Sequence, residues 1–520
     1  MLAPRPKAVR KVSTAKSIAA PVGGWNARDA LGAMPIEDAV VMTNLFPSTT
    51  NVVLRKGHSQ YATGISGQAE TLMVYAGPTG NEMFAAAASG NIYDVTSAGA
   101  VGAAVVSGLT NGRFQYQNVT TTADSFMLCV NGADKLRGYD GTSWYVDGDG
   151  SHDITGVDTA DCSGITQFKN RVWLIEDNTL SAWYLGTGAI AGAATEFPLG
   201  GVAQQGGFLV TASAWTIDAG DGVNDMMVFI TSNDGGSEVI VYQGTDPAAA
   251  ATWTLVGVWT IGSVIGKRCT YKYRGDLLII CRDGVIPMSS LLVSSKTIPV
   301  VTVTDKIQQA LSSAVSLYGS NFGWELEYFA QENQLYLNVP VSTGSEQQQY
   351  VMNTISRNWC NFSGWEANCW AIYNGDPYFG SDGYVGKAWD TLADNDTNIN
   401  GFCIQAFDKF GTEVQKRFTM MRPILFTNGS PALLAEVNVD FDLSDTTAPL
   451  SVTVTSYATW DNGLWDTALW GSNLAVQQNW QGVTGIGFYG AVVLKTAAKG
   501  IEVQWNSTTL VFEPQKGTYL

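Results

Sequence analysis

Seven times between Met83 and Thr391 the sequence writes an apolar strand, a polar turn usually holding glycine, and a second strand. The copies are "MFAAAASGNIYDVT" (83–96), "FMLCVNGADKLRGYDGT" (126–142), "VWLIEDNTLSAWYLGT" (172–187) and "VFITSNDGGSEVIVYQGT" (228–245), followed by "LLIICRDGVIPMSS" (277–290), "LYLNVPVSTGSEQQQYVMNT" (335–354) and "YFGSDGYVGKAWDT" (378–391). Four close on a tyrosine followed three residues later by threonine: Tyr93/Thr96, Tyr139/Thr142, Tyr184/Thr187 and Tyr242/Thr245. Those tyrosines lie 46, 45 and 58 residues apart. A hairpin recurring every ~40–50 residues marks four-stranded blades set around an axis. Sustained 3.6-residue periodicity is nearly absent, which excludes helical solenoids. A β-sandwich stays open as an alternative, although it has no need of the same hairpin ending again and again.

The expected fold is therefore all-β, with a β-propeller of six or seven blades over residues 68–395. Residues 1–22 read as a flexible basic N-terminal arm. The first 20 residues carry Arg5, Lys7, Arg10, Lys11 and Lys16 without an acid, and Pro4 and Pro6 discourage helix. No apolar core of a secretion signal is present there. Residues 23–67 form an anchoring segment, in which "NVVLRKG" (51–57) is a candidate strand for tying the last blade to the first. Residues 396–520 read as a C-terminal β-sandwich-like domain, because "EVNVDFDL" (436–443), "SVTVTSY" (451–457) and "IEVQW" (501–505) alternate as half-buried strands do. Only residues 35–45 and 305–317 look helical.

Composition narrows function more than it defines it. Acids outnumber bases 46 to 29, a net charge of −17, so the chain is not built to grip phosphates. No apolar run approaches the ~18 residues of a membrane helix, and no membrane span is expected. The seven cysteines (129, 162, 269, 281, 360, 369 and 403) are scattered without a C-x-x-C pair and read as buried free thiols. With only His58 and His152, no nucleophile elbow and no phosphate loop, the chain offers no catalytic, cofactor-binding or metal-binding residues, and it is expected not to be an enzyme.

Three stretches invite a sharper reading. Asp147, Asp149, Ser151, Asp153 and Asp158 space themselves like a calcium loop, but His152 stands where such a loop needs glycine, which favours a solvated turn. "SNDGGSEV" (232–239) faintly resembles the turn of sialidase propellers, a structural feature in that family. Trp460, Trp465 and Trp470 recur every fifth residue in "WDNGLWDTALWG", a spacing that fits one face of neither helix nor strand. That segment either packs on the β domain or offers a stacking surface to sugar or protein.

The opening stretch, "GGWNARDALGAMPIEDAVVMTNLFP" followed by "VVLRKG", resembles the N-terminal region of tail nozzle proteins of short-tailed bacteriophages, also called tail tubular protein B or packaged-DNA stabilisation proteins. The matching elements are Gly24, Asn26, Arg28, Asp29, Met34, Pro35, Asp38, Ala39, Asn44, Phe46, Pro47, Arg55 and Gly57. "WDNGLWDTALW" and "GVTGIGFYGAVV" (482–493) are similar to C-terminal patterns of related phage structural proteins. The resemblance implies a virion tail subunit, assembled in the host cytoplasm and forming a homo-oligomer, a hexameric ring, below the portal and adaptor. Such a ring supports tail fibres or spikes and lets genome DNA pass without binding it specifically. It further implies that Leu31, Val40, Val41, Met42, Leu45 and Phe46 anchor the start of the chain. The alternative is a virion-associated glycan-degrading or glycan-binding propeller protein, which a convergent pair of carboxylates in one pocket would support.

Overall fold

The computed structural model describes residues 13–122, 124–216, 225–293, 301–342, 347–444, 455–456 and 474–515. The chain divides into two compact units. One, the propeller-like unit, takes residues 59–350 and 363–388; the other, the composite unit, takes 1–58, 351–362 and 389–520.

All seven hairpins of the sequence reading are pairs of adjacent strands. Each follows one inner strand; the first and last hairpins share a seven-stranded sheet, and the sixth lies in a nine-stranded one. The inner strands are β1 (His58–Ala76), β2 (Gln115–Thr120), β3 (Cys162–Phe168), β4 (Phe208–Thr216), β5 (Thr270–Tyr273), β6 (Glu325–Phe329) and β7 (Cys369–Tyr373). The sheets led by β2, β3 and β4 have four strands each, and that of β5 has three.

Alternation explains why these sheets stack. Met127 and Cys129 pack against Met73, Tyr75 and Phe84 of the preceding sheet, whereas Leu128 and Val130 pack against Val172 and Leu174 of the following one. In turn Trp173 and Ile175 face Met227 and Phe229, while Val228 and Ile230 face Leu277 and Ile279. A strand whose odd and even residues are both apolar must bury both faces, and radial face-to-face stacking does so. The result is a β-propeller-like arrangement. The four repeat tyrosines occupy similar depths, 7–8% exposed. Tyr93, Tyr139 and Tyr242 face the preceding sheet. In the third hairpin Trp183 takes that direction and Tyr184 faces onward.

The ring closes differently from the expectation. Residues 69–76 of β1 pair antiparallel with Asn81–Ala87 of the first hairpin. The part of β1 before Ala69 runs beside Asp382–Ala388 of the last hairpin, and the Ala69 amide donates to the Ser381 carbonyl at 3.0 Å. One long strand thus serves both. The candidate closing strand in 51–57 lies instead in the composite unit, where Val52–Leu54 pairs with Leu45–Pro47 and with Val503–Pro514.

The composite unit holds two large sheets, beside a short pairing of Gly429–Ser430 with Thr455–Ser456. In one, Val503–Pro514 pairs with Thr14–Ala19, Lys416–Thr427 and Val52–Leu54. In the other, Asp38–Thr43, Ile399–Gln405, Gly490–Ala498 and Ala432–Val439 run in that order. Two expectations need correction here. Within the stretch read as a flexible arm, Thr14–Ala19 is a strand in register with Ser507–Phe512. Residues 35–45, read as helical, carry the strand Asp38–Thr43: the Pro35 carbonyl receives the Asp38 amide in a turn, and a partner strand then favours β over the local pattern. The other helix is present, as Asp305–Ile307 followed by Gln308–Tyr318. All seven cysteines are buried free thiols.

Candidate functional site

The residues of the opening motif are engaged inside the composite unit. Asn26, 1% exposed, accepts from the amides of Arg28 and Asp29 at 3.0 Å and donates to Asp29 and Asp38 at 2.9 and 2.7 Å. Asn44 sits at φ 57°, a conformation asparagine tolerates better than most residues, and donates to the Asn400 carbonyl. Arg55 donates from Nε to Asn44 at 2.9 Å and from both terminal nitrogens to Asp394 at 2.8 and 2.6 Å. His58 Nδ1 lies 3.3 Å from the same carboxylate. Burial alone would raise the Asp394 pKa, but hydrogen bonds from His58 and Arg55 hold it below the usual carboxylate range. A Cβ on Gly57 would stand 1.9 Å from the Ala393 carbonyl, so the backbone approach there requires glycine. Met42, Leu45 and Phe46 are buried, and Phe46 meets Phe362 and Trp389 at 6.3 and 6.1 Å. Leu31, Val40 and Val41 are half-buried.

A second site lies at the centre of the propeller-like unit, where all seven inner strands line one cavity of about 510 Å³. Its framework is Arg268, just before β5. Nη1 of this arginine donates to Glu325 Oε2 at 3.0 Å, while Nη2 donates to the carbonyls of Glu70 and Phe114 at 3.1 Å and to the Thr71 hydroxyl. The guanidinium also lies 4.9 Å from the Phe322 ring, with Arg113 at 4.7 Å. Two residues further along β6, on the same side of the strand as Glu325, comes Glu327. Its Oε1 accepts from the Tyr271 hydroxyl at 2.8 Å. Burial lifts the Glu327 pKa to about 7, against the opposing Tyr271 bond and with help from the Glu325 charge. Glu325 is also raised by burial, despite Arg268. On the basic side, desolvation lowers Lys272.

The sequence reading missed this cavity. The available signal was "ELEYF" in β6, two acids alternating on a strand of an otherwise apolar repeat. The acidic loop it did single out is occupied by its own backbone. Asp147 accepts from the Ile154 amide, Asp153 from those of Gly148 and Gly150, and Asp158 from Ala160 and from Lys135 at 2.9 Å. Ser232–Val239 forms the turn between Asp225–Asn233 and Gly236–Gly244. Trp460, Trp465 and Trp470 lie outside the described residues, as do Arg5, Lys7, Arg10 and Lys11.

No family model and no curated protein matches the sequence. Among solved structures, the chain is similar to Raptor from Chaetomium thermophilum, at 12% identity and a TM-score of 0.40, over 65% of this chain and 29% of that one. The chain therefore spans less than a third of that protein's length. It is also similar to BBS1N in complex with ARL6DN, at 10% identity and 0.37, over 65% and 98% of the two chains. A third similarity is to YCF48 from Cyanidioschyzon merolae, at 11% and 0.36, over 66% and 97%. At these scores the likenesses carry no argument about what the chain does.

Proposed function

We propose that this chain is a structural subunit of a phage tail nozzle, six copies of which form a ring that joins the adaptor or portal, supports tail fibres and conducts the exiting genome. The observation that carries the reading is the opening motif. Asn26 and Asp38 form one buried bonded pair, Asn44 and Arg55 a second, and Gly57 is buried with its amide on the Thr391 carbonyl, so the resemblance falls on residues with demanding structural roles. We read the inner strands β1 to β7 as leading seven blades, the upper of the two numbers the repeat allowed. The surplus of 17 acids suits a conduit that repels phosphate over the ~8 Å screening length at physiological salt. Negative-stain images of the purified chain, alone and with its adaptor, test this. A six-fold ring with a central hole is expected, and monomers under both conditions overturn the reading.

One observation favours the second reading, a glycan-handling propeller: Glu325 and Glu327 line the same central cavity. Release of reducing ends from host capsule or lipopolysaccharide is its test, and Glu327→Gln should abolish that release.

A further inference from the structure

The central cavity is polar and close to charge-balanced. Arg268 is matched by Glu325 and Lys267 by Asp177 at 2.8 Å. That leaves Lys272, whose ammonium makes no hydrogen bond or ion pair among the described residues, and Glu327, whose Oε2 makes none either. One buried carboxylate is short of donors, although the Trp370 amide approaches it beside Arg268. Glu325 is 8% exposed, and its Oε1 makes no full hydrogen bond while Oε2 is held by Arg268. A buried carboxylate oxygen short of a donor is costly, so something that donates a hydrogen bond belongs beside it. The rest of the lining supplies hydroxyls and amides, among them Thr166, Thr211, Ser213 and Gln117.

These demands select a ligand class. A metal ion is disfavoured, because no group of three His, Cys, Asp or Glu side chains is placed to hold one among the described residues. An anion finds the Lys272 charge already answered by Asp225 and the Glu325 and Glu327 carboxyls in the same lining, and an apolar ligand finds too few apolar walls. A hydroxyl both donates and accepts, so a neutral polyol satisfies carboxylate oxygens short of donors and an ammonium without a hydrogen bond together. The volume falls in the ~300–1,000 Å³ range of small-molecule sites.

We propose that the central cavity binds a small neutral polyhydroxylated molecule, a monosaccharide or cyclic polyol, whose hydroxyls donate to Glu325 and Glu327 and accept from Lys272. The ligand class rests on the glycan-handling reading; turnover is not required, and the nozzle reading neither needs nor forbids it.

Saturation-transfer NMR and calorimetry on the full chain test it, with glucose, galactose, mannose, myo-inositol and glycerol as probes. Glutamate, citrate, inorganic phosphate and magnesium serve as comparators. At least one neutral probe should bind at millimolar or better affinity. Glu327→Gln and Lys272→Met, each first shown to keep the wild-type near-ultraviolet circular dichroism, should weaken binding about tenfold, the loss of roughly one hydrogen bond to a charged group. Asp234→Asn, in an exposed turn, should leave it unchanged. Binding of charged comparators alone, no binding by any neutral probe, or neutral binding that survives both cavity substitutions overturns the proposal. Neutral binding without release of reducing ends from host glycans defeats an enzymatic reading and leaves the binding site standing.

Discussion

The propeller-like unit is made by sequence neighbours, whereas the composite unit is made by distant ones. In the former, Met127 pairs with Tyr139 and Trp173 with Tyr184, across turns a few residues long. In the latter, Ala15 pairs with Val511 and Asn51 donates to Gln504. Local pairing leaves a periodic trace, because every hairpin solves the same packing problem with the same alternation. Non-local pairing leaves none, since any strand of suitable pattern can serve as partner. The two units also differ in what fixes them: two-faced apolar stacking in one, buried polar pins in the other.

Removing a stack is the most severe way to break that contrast. Trp173 is fully buried and meets Tyr184, Phe229 and Trp253 at 5.0, 5.6 and 5.9 Å. Trp173→Ala should cost about 3–5 kcal/mol in urea unfolding, with amide protection lost first in the sheets on either side. A cost below about 1 kcal/mol would mean that two-faced stacking does not hold this unit together.

Removing a pin comes next. Arg55→Met leaves Asp394 buried without its strongest partner and should cost about 3 kcal/mol, with protection falling in Val503–Pro514 and Ile399–Gln405 while the hairpins keep theirs. Adding Asp394→Leu should restore part of the loss. If the double variant is no better than the single one, the pin acts through shape rather than charge.

The smallest effect probes the central cavity. Because the folded Glu327 pKa stands at about 7, above its ordinary value of 4.5, its neutral form is favoured by folding. That contribution is complete below about pH 4.5 and fades as pH rises through about 7. Glu325 on the same strand, Tyr271 and Lys272 of β5, Tyr116 of β2 and Arg268 surround it. Glu327→Gln should therefore gain on the wild type across this window, by about 2 kcal/mol at pH 8 once screening by cavity water is allowed for. Equal stability differences at pH 4 and pH 8 would place Glu327 in bulk-like solvent.

What was legible follows the same division. The hairpins, their turns and the helix after Asp305 were readable, because each is written in consecutive residues. The strand Asp38–Thr43 was not, since its conformation is set by Ile399–Gln405, some 360 residues away. The strand Thr14–Ala19 hid for the same reason, its basic composition giving no sign of Val503–Pro514. The cavity escaped because it is assembled from a few residues of every repeat, a sum no single window contains. Glu325 and Glu327 were visible as letters; that six other strands converge on them was not.

The doubly used strand β1 has a consequence for how the chain is made. As synthesis proceeds, residues 69–76 find their partner within a dozen residues, but those before Ala69 wait for Asp382–Ala388. At ~5–20 residues per second the interval is on the order of 15–60 s. During it the nascent ring stands open with one strand half-paired and its edge amides unclaimed, a template for whichever strand arrives first. On a polysome, where several copies emerge close together, that strand is the next chain's Asp382–Ala388 as readily as its own. Dilution of translating ribosomes, or a permuted gene that starts after Gln68 and places residues 58–68 behind Ala388, would shorten the wait and favour self-closure.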